Sequence, residues 1–184
     1  MKTKKLNLGC GKNKMEGYVN VDFNPSFRPE IIHDLNVFPY PFKDNEFEEI
    51  YLEHVLEHLD NPFRVLEEVF RIARNNAKVI VKCPHFSCNW LNPGHRSAIS
   101  SYLFNYFNPQ VSEGYGEANF KVEKIKLYWL RNRKDYLEHR HFLVKIFNAL
   151  INFLANLNLS LAERVWCYWV GGFEEIVFEA RVLK

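Results

Sequence analysis

The chain has 184 residues, enough for one domain with a sizeable core. At 47% hydrophobic and 25% charged residues it has the composition of a soluble globular protein, and a net charge of +2 gives no whole-chain pull toward DNA or a membrane. The charge is uneven, however: Glu30 to Glu68 holds eleven acids against Lys43 and Arg64, a net of −9, and Lys121 to Lys145 holds eight bases against three acids, a net of +5. No long apolar stretch precedes the first glycines, so no signal peptide is expected. The four cysteines suggest a reducing cytoplasmic setting, not a disulfide framework.

Lys5 to Leu8 reads as a short strand ended by Gly9, and Tyr18 to Asp22 alternates as a second strand. About eight residues separate them, too few for a full crossover helix. Glu30 to Leu35 and Phe47 to His54 are the third and fourth strands. Asn61 then stands as a cap, with Pro62 at the first helical position. Val65, Leu66, Val69, Phe70 and Ile72 give the following helix its apolar face. Ala77 to Pro84 is a fifth, central strand. Ser97 to Phe107 is aromatic with some helical character, and 108–120 reads as a loop. Phe120 to Leu130 and Phe173 to Lys184 are the sixth and seventh strands. This alternation predicts an α/β fold with a mostly parallel sheet in one domain, 1–184.

Between the last two strands, Phe142 to Leu161 is apolar except for Lys145, Asn148, Asn152 and Asn156, which fall on one narrow stripe at helical spacing. Lysine and asparagines are costly inside hydrocarbon, so no transmembrane segment is expected. Packing on the domain's own sheet, forming a homodimer, or peripheral contact with a membrane remain. The nearby Arg131, Arg133, Lys134 and Arg140 suit anionic lipid or a phosphorylated acceptor. As an insertion over 142–171, the segment is expected to form a lid or interface, its asparagines offered to solvent or acceptor.

The stretch "KKLNLGCGKNKMEGYVNVDF" places Gly9, Gly11 and Asp22 where an open α/β sheet receives its ligand. Glycines there let a ligand reach the backbone, and a carboxylate after the second strand accepts ribose hydroxyls. The other reading is that the glycines merely shape a tight turn. A dinucleotide fingerprint would need a third glycine at Lys14 and an acid roughly twenty residues on, and no Gly-Lys-Ser/Thr follows for a phosphate loop. An adenosine cofactor without phosphate fits better, namely S-adenosylmethionine.

"LNLGCG", "VNVD", "HDLNVFPYPFKDNEFEEIYLEHVLEHL" and "VLEEVFRIARNNAKVIVKCPH", in that order, resemble the class I S-adenosylmethionine-dependent methyltransferases, in particular the small-molecule type with a His-Val-Leu-Glu-His segment. The resemblance covers about residues 5–107. It implies a Rossmann-like, seven-stranded sheet of order 3-2-1-4-5-7-6, with helices on both faces and the last strand antiparallel. It further implies that Gly9 and Gly11 floor the methionine part and ribose and that Asp22 holds the ribose diol. Asp34 and the Leu35 backbone would meet adenine, and Glu53 and His54 the methionine end. Asn7 stands where many relatives carry an acid, and the missing first helix is a second departure.

"HVLEH" also matches H-x-x-E-H, an inverted zinc-protease signature. That signature needs both histidines on one continuous helix, whereas His54 closes a strand, so no metal is expected. Cys83, His85, Cys88 and His95 match no standard cluster. His85 and His95 follow the fifth strand, and either could take a proton from an acceptor. The expected function is methyl transfer to a small-molecule, glycan or lipid-linked acceptor. A non-catalytic module binding the same cofactor, a nucleotide-dependent oxidoreductase and an RNA methyltransferase are the alternatives.

Overall fold

A computed structural model describes residues 4–89, 91–108, 117–131 and 137–184. Seven strands form one sheet in the order β3-β2-β1-β4-β5-β7-β6, as expected. They are β1 (Lys5–Leu8), β2 (Val19–Asp22), β3 (Ile31–Ile32), β4 (Phe47–Glu53), β5 (Ala73–Cys83), β6 (Phe120–Tyr128) and β7 (Glu175–Val182). β1 to β5 pair in parallel, while β7 runs antiparallel to both β5 and β6. The third strand is shorter than its sequence suggests and the fifth begins earlier. Most of the expected 108–120 loop, together with Arg133 and Lys134, lies outside the described residues.

Helix α1 (Pro62–Ile72) begins where predicted: Asn61 caps it by accepting from the Arg64 N–H, and Pro62 occupies its first turn. Its Val65, Leu66, Val69 and Ile72 are fully buried. They belong to a core that also takes one face of the sheet: Leu6, Leu8, Ile50, Leu52, Val79, Val81, Ile176, Phe178 and Ala180 are all 0% exposed. Each such aliphatic or aromatic side chain contributes about 1.5–3 kcal/mol on burial.

The other face differs from the expectation of helices on both sides. Cross-strand ion pairs cover it: Lys5–Glu49 at 3.5 Å, Lys82–Glu53 at 3.6 Å and Lys78–Glu179 at 2.9 Å, all with half-buried side chains. The reason lies in the first crossover. Instead of a helix, a loop runs from Gly9 to Tyr18, and two asparagines on the sheet hold it. Asn7 Nδ2 donates to Asn13 O (3.2 Å) and Asn20 Oδ1 (2.8 Å), and the Met15 N–H donates to Asn20 Oδ1 (2.8 Å).

Helix α3 (Phe142–Leu157), which follows the short helix α2 (Phe86–Asn89), departs further. Its asparagine stripe faces the protein. Leu127, Trp129 and Leu130 donate their backbone N–H groups to Asn156, Asn152 and Asn148 at 2.9, 2.7 and 3.2 Å. Asn156 Nδ2 returns a bond to Leu127 O at 2.8 Å. An edge strand such as β6 presents unpaired donors and acceptors, and the asparagines satisfy them. The apolar side is therefore turned out: Phe142, Phe147, Phe153 and Leu157 are 69, 55, 63 and 66% exposed.

Candidate functional site

The loop after β1 starts from a steric constraint. Gly9 has φ +67°, and a Cβ there would stand 2.3 Å from Val55 Cγ2, so only glycine lets the loops after β1 and β4 touch. Gly11 has φ +49° with nothing within 4 Å of where its Cβ would be, leaving its backbone open to a ligand. Asp22, 6% exposed at the end of β2, accepts from the Gly11 N–H at 2.8 Å with one oxygen and from the Asn24 N–H at 2.9 Å with the other. The acid thus fixes the glycine loop and borders the ligand space together.

These residues line a cleft of about 550 Å³ at the carboxyl ends of β1, β2 and β4. Gly9, Gly11, Asp22, Asp34, Leu35 and His54, all expected, meet there. Asp34 Oδ1 accepts from the Asn36 N–H at 2.9 Å, and Leu35 O accepts from the Tyr40 hydroxyl at 2.9 Å, which pins this turn to the core. Two expected residues do not line the cleft. Asn7 is 2% exposed and bound to the β1–β2 loop. Glu53 points to the charged sheet face, where it accepts from the Tyr51 hydroxyl at 3.2 Å and meets Lys82. The alternation of β4 explains this, since residue 53 shares the face of residues 49 and 51.

His54 leaves the strand at φ +51°, and its Nε2 lies 2.9 Å from Glu175 Oε1. Burial disfavours the imidazolium, but the hydrogen bond to Glu175 and the nearby Glu57 carboxylate outweigh it and hold the pKa above the ordinary value. Phe23, Val55, Gly94 and Arg96, which were not singled out by sequence, complete the wall together with His58, the second histidine of "HVLEH". Phe23, 70% exposed directly after Asp22, carried a usable signal: an aromatic beside the acid that ends β2.

His95 lines a second cavity of about 290 Å³ with Pro84, Cys88, Arg131 and Glu174 among its neighbours. His58 and His95 stack edge to face at 4.8 Å, so they form a wall between cleft and cavity.

His85 lies elsewhere. It is 0% exposed, its Nδ1 is 2.7 Å from Ser87 Oγ, and its Nε2 is 3.1 Å from Glu163 Oε1. The Phe173 N–H donates to the same Ser87 Oγ at 2.9 Å. This network assigns the proton to Nε2, which donates to Glu163, and leaves Nδ1 accepting from Ser87. His85 is thereby enclosed and unavailable to a substrate; it ties the end of β5 to the segment after α3. Burial alone would raise the Glu163 pKa, but His85 and Ser101 donate to its carboxylate and hold it below the usual range. Such a depressed carboxylate contributes stability above its unfolded pKa and loses it as pH falls through the folded value. Glu163→Gln should therefore cost about 1–3 kcal/mol at neutral pH. In urea titrations the gap between variant and parent should close on acidification. A gap that persists in acid would show that the charge is not what stabilises.

Residues 6–81 match the family model described as a methyltransferase domain. A search of curated proteins found no match. Among solved structures, the chain is similar to a S-adenosylmethionine-dependent methyltransferase from Archaeoglobus fulgidus. That pair shares 15% identity with a TM-score of 0.59, covering 97% of this chain and 86% of that one. A S-adenosylmethionine-dependent methyltransferase from Mesorhizobium loti is similar at 11% identity and a TM-score of 0.58, with 97% and 90% covered. So is the (4+2)-cyclase SpnF, at 13% identity and a TM-score of 0.60, with 98% and 75% covered. The fold is that of the class I S-adenosylmethionine-dependent methyltransferases. Over residues 6–81, less than half of its length, the chain matches the methyltransferase-domain model, and the cofactor that this match and the fold imply is S-adenosylmethionine. The cleft is compatible with it: open space over Gly11, a buried acid at Asp22, and a second acid at Asp34.

Proposed function

We propose that the protein is a S-adenosylmethionine-dependent methyltransferase whose acceptor is a small molecule or glycan headgroup carried on a lipid surface. Gly9 and Gly11 floor the methionine part and ribose, Asp22 accepts from the ribose diol, and Asp34 with the Leu35 backbone meets adenine. Phe23 offers that base a ring face, and His54, held at Glu175, closes the methionine end.

The observation that carries this reading is the second cavity, reached across the His58–His95 wall and lined by groups able to bind a polar acceptor. When bound, the cofactor supplies a methyl group on a cationic sulfur, already activated for in-line displacement. The chain's share is then to position the acceptor and exclude water, and orientation alone supplies much of such a rate.

The outward face of α3 supports a lipid-borne acceptor. Between Phe142 and Val170 the charged residues are Lys145, Glu163 and Arg164, and the acid is buried. An apolar ridge with basic charge suits an anionic bilayer surface. At ~1.5 Å per residue the 16 residues of α3 reach about 24 Å, short of the roughly 30 Å of hydrocarbon. No single helix among the described residues is long and apolar enough to cross a membrane; α3 and Leu159–Trp169 pass only as a pair bent by 110°. The helix would lie on a bilayer, not through it.

Transfer of labelled methyl from S-adenosylmethionine, assayed on hydroxyl and amine acceptors both free and in anionic vesicles, tests the proposal. Transfer that rises when the acceptor is vesicle-borne is expected. Tight cofactor binding with no transfer in either format would favour a non-catalytic binder.

A further inference from the structure

We propose that Glu57, His58 and His95 form a binding site for one divalent transition-metal ion of the Zn²⁺ type, in the wall between the cleft and the second cavity. The starting observation is a buried charge. Glu57 is 0% exposed, and neither of its side-chain oxygens has a hydrogen-bond partner among the described residues. An isolated buried carboxylate is strongly disfavoured unless a cation or donors compensate it.

Among the described residues, the ion-pair partners within 4.0 Å of Oε1 are imidazoles. His54 Nδ1 is 3.4 Å away but makes no hydrogen bond to it, and that ring is already anchored through Nε2 to Glu175. His58 Nε2 and His95 Nε2 each stand 4.0 Å from the same oxygen. Both rings are oriented from behind. His58 Nδ1 lies 3.1 Å from Gly94 O, and His95 Nδ1 lies 2.7 Å from Asn89 O. A carbonyl can only accept, so each Nδ1 carries the hydrogen, and in the neutral ring that binds a metal each Nε2 presents a lone pair. Holding an imidazole by a backbone carbonyl so that its other nitrogen faces the ion is how metal-binding histidines are positioned.

The three ligating atoms lie within 4.8 Å of one another. In a tetrahedral zinc site, neighbouring ligand atoms are ~3.3 Å apart, given bonds of about 2.0–2.2 Å. Small side-chain rotations close that difference. Two histidines and one carboxylate leave coordination open, and His58, its side chain 42% exposed, lies on the open cleft side. An oxygen of an acceptor can occupy the remaining position.

This ligand set differs from the H-x-x-E-H helix signature. There both histidines of the motif bind zinc and the glutamate acts as base. Here the glutamate and the second histidine ligate, His54 stays with Glu175, and the third ligand comes from the loop beyond β5. Sequence spacing could not supply that third ligand, because Glu57 and His95 are brought together only by the fold.

The test uses the full chain stripped with a chelator, then titrated with Co²⁺ by visible absorption and with Zn²⁺ by competition. One ion per chain is expected. Glu57→Gln and His95→Gln should each weaken binding at least tenfold, and Zn²⁺ should raise the melting temperature of the parent but of neither variant. Neither residue lines the cofactor cleft, so S-adenosylhomocysteine binding by the same samples reports on folding. If one variant fails to fold, the other decides. Absence of a stoichiometric ion on the parent, or parent-like affinity in a folded variant, overturns the site. Methyl transfer is not a readout, so this result and the assay of function fail independently.

Discussion

Asp22→Ala is expected to raise the dissociation constant for S-adenosylhomocysteine by about tenfold to a hundredfold in calorimetric titration. The carboxylate accepts from the Gly11 and Asn24 N–H groups at 2.8 and 2.9 Å while lining the cleft. Under the proposed function its removal would deprive the ribose hydroxyls of an acceptor, and it strands two part-buried donors. Each such loss costs about 1–3 kcal/mol, and every 1.4 kcal/mol is about tenfold in affinity. Asp22→Asn should fare little better, since its NH₂ group must face one of those two donors. Melting curves separate a loosened loop from a lost ligand contact. Unchanged affinity in a folded variant would remove Asp22 from the site.

Phe147→Asp combined with Leu154→Asp should reduce co-sedimentation with anionic vesicles at least about tenfold, with cofactor affinity retained. Both side chains are about half exposed, at 55 and 44%, so the variant should melt near the parent temperature. In lipid each would bury apolar area worth about 1.5–3 kcal/mol, and a carboxylate reverses that sign. Parent-level sedimentation by the double variant would end the lipid reading. If the parent instead dimerises on gel filtration and the variant does not, a second copy of the chain covers this face. Outright unfolding would mean that the side chains belong to the core.

The strand order came from the family resemblance. The placement of β2 and α1 was legible because their signals are local: alternation in β2, a cap and proline at Asn61 and Pro62, and a 3.6-residue apolar period. The glycine turn and Asp22 were legible for the same reason. Other features depend on partners distant in sequence. The Asn148, Asn152 and Asn156 stripe reads as solvent-facing until the unpaired edge of β6 is known to lie beside it. His85 reads as a base beside substrate until Glu163, 78 positions away, encloses it. Glu53 was misdirected by one position of strand parity, a single-residue matter that flips a side chain to the other face. The single-layer helical cover has a local cause, the short first crossover, yet its replacement by an ion-pair lattice depends on four strands in register.

The asparagine attachment of α3 has a consequence for its behaviour away from water. A helix held to its sheet by an oily seam would lose the reason for that contact once lipid surrounded it, because acyl chains compete for apolar surface as well as any leucine. Amide-to-backbone bonds meet no such competitor in hydrocarbon, which has neither donors nor acceptors, and they strengthen as the local dielectric falls. The seam between α3 and β6 is thus of the kind that survives immersion: the deeper the helix settles, the firmer its grip on the domain that carries the cleft.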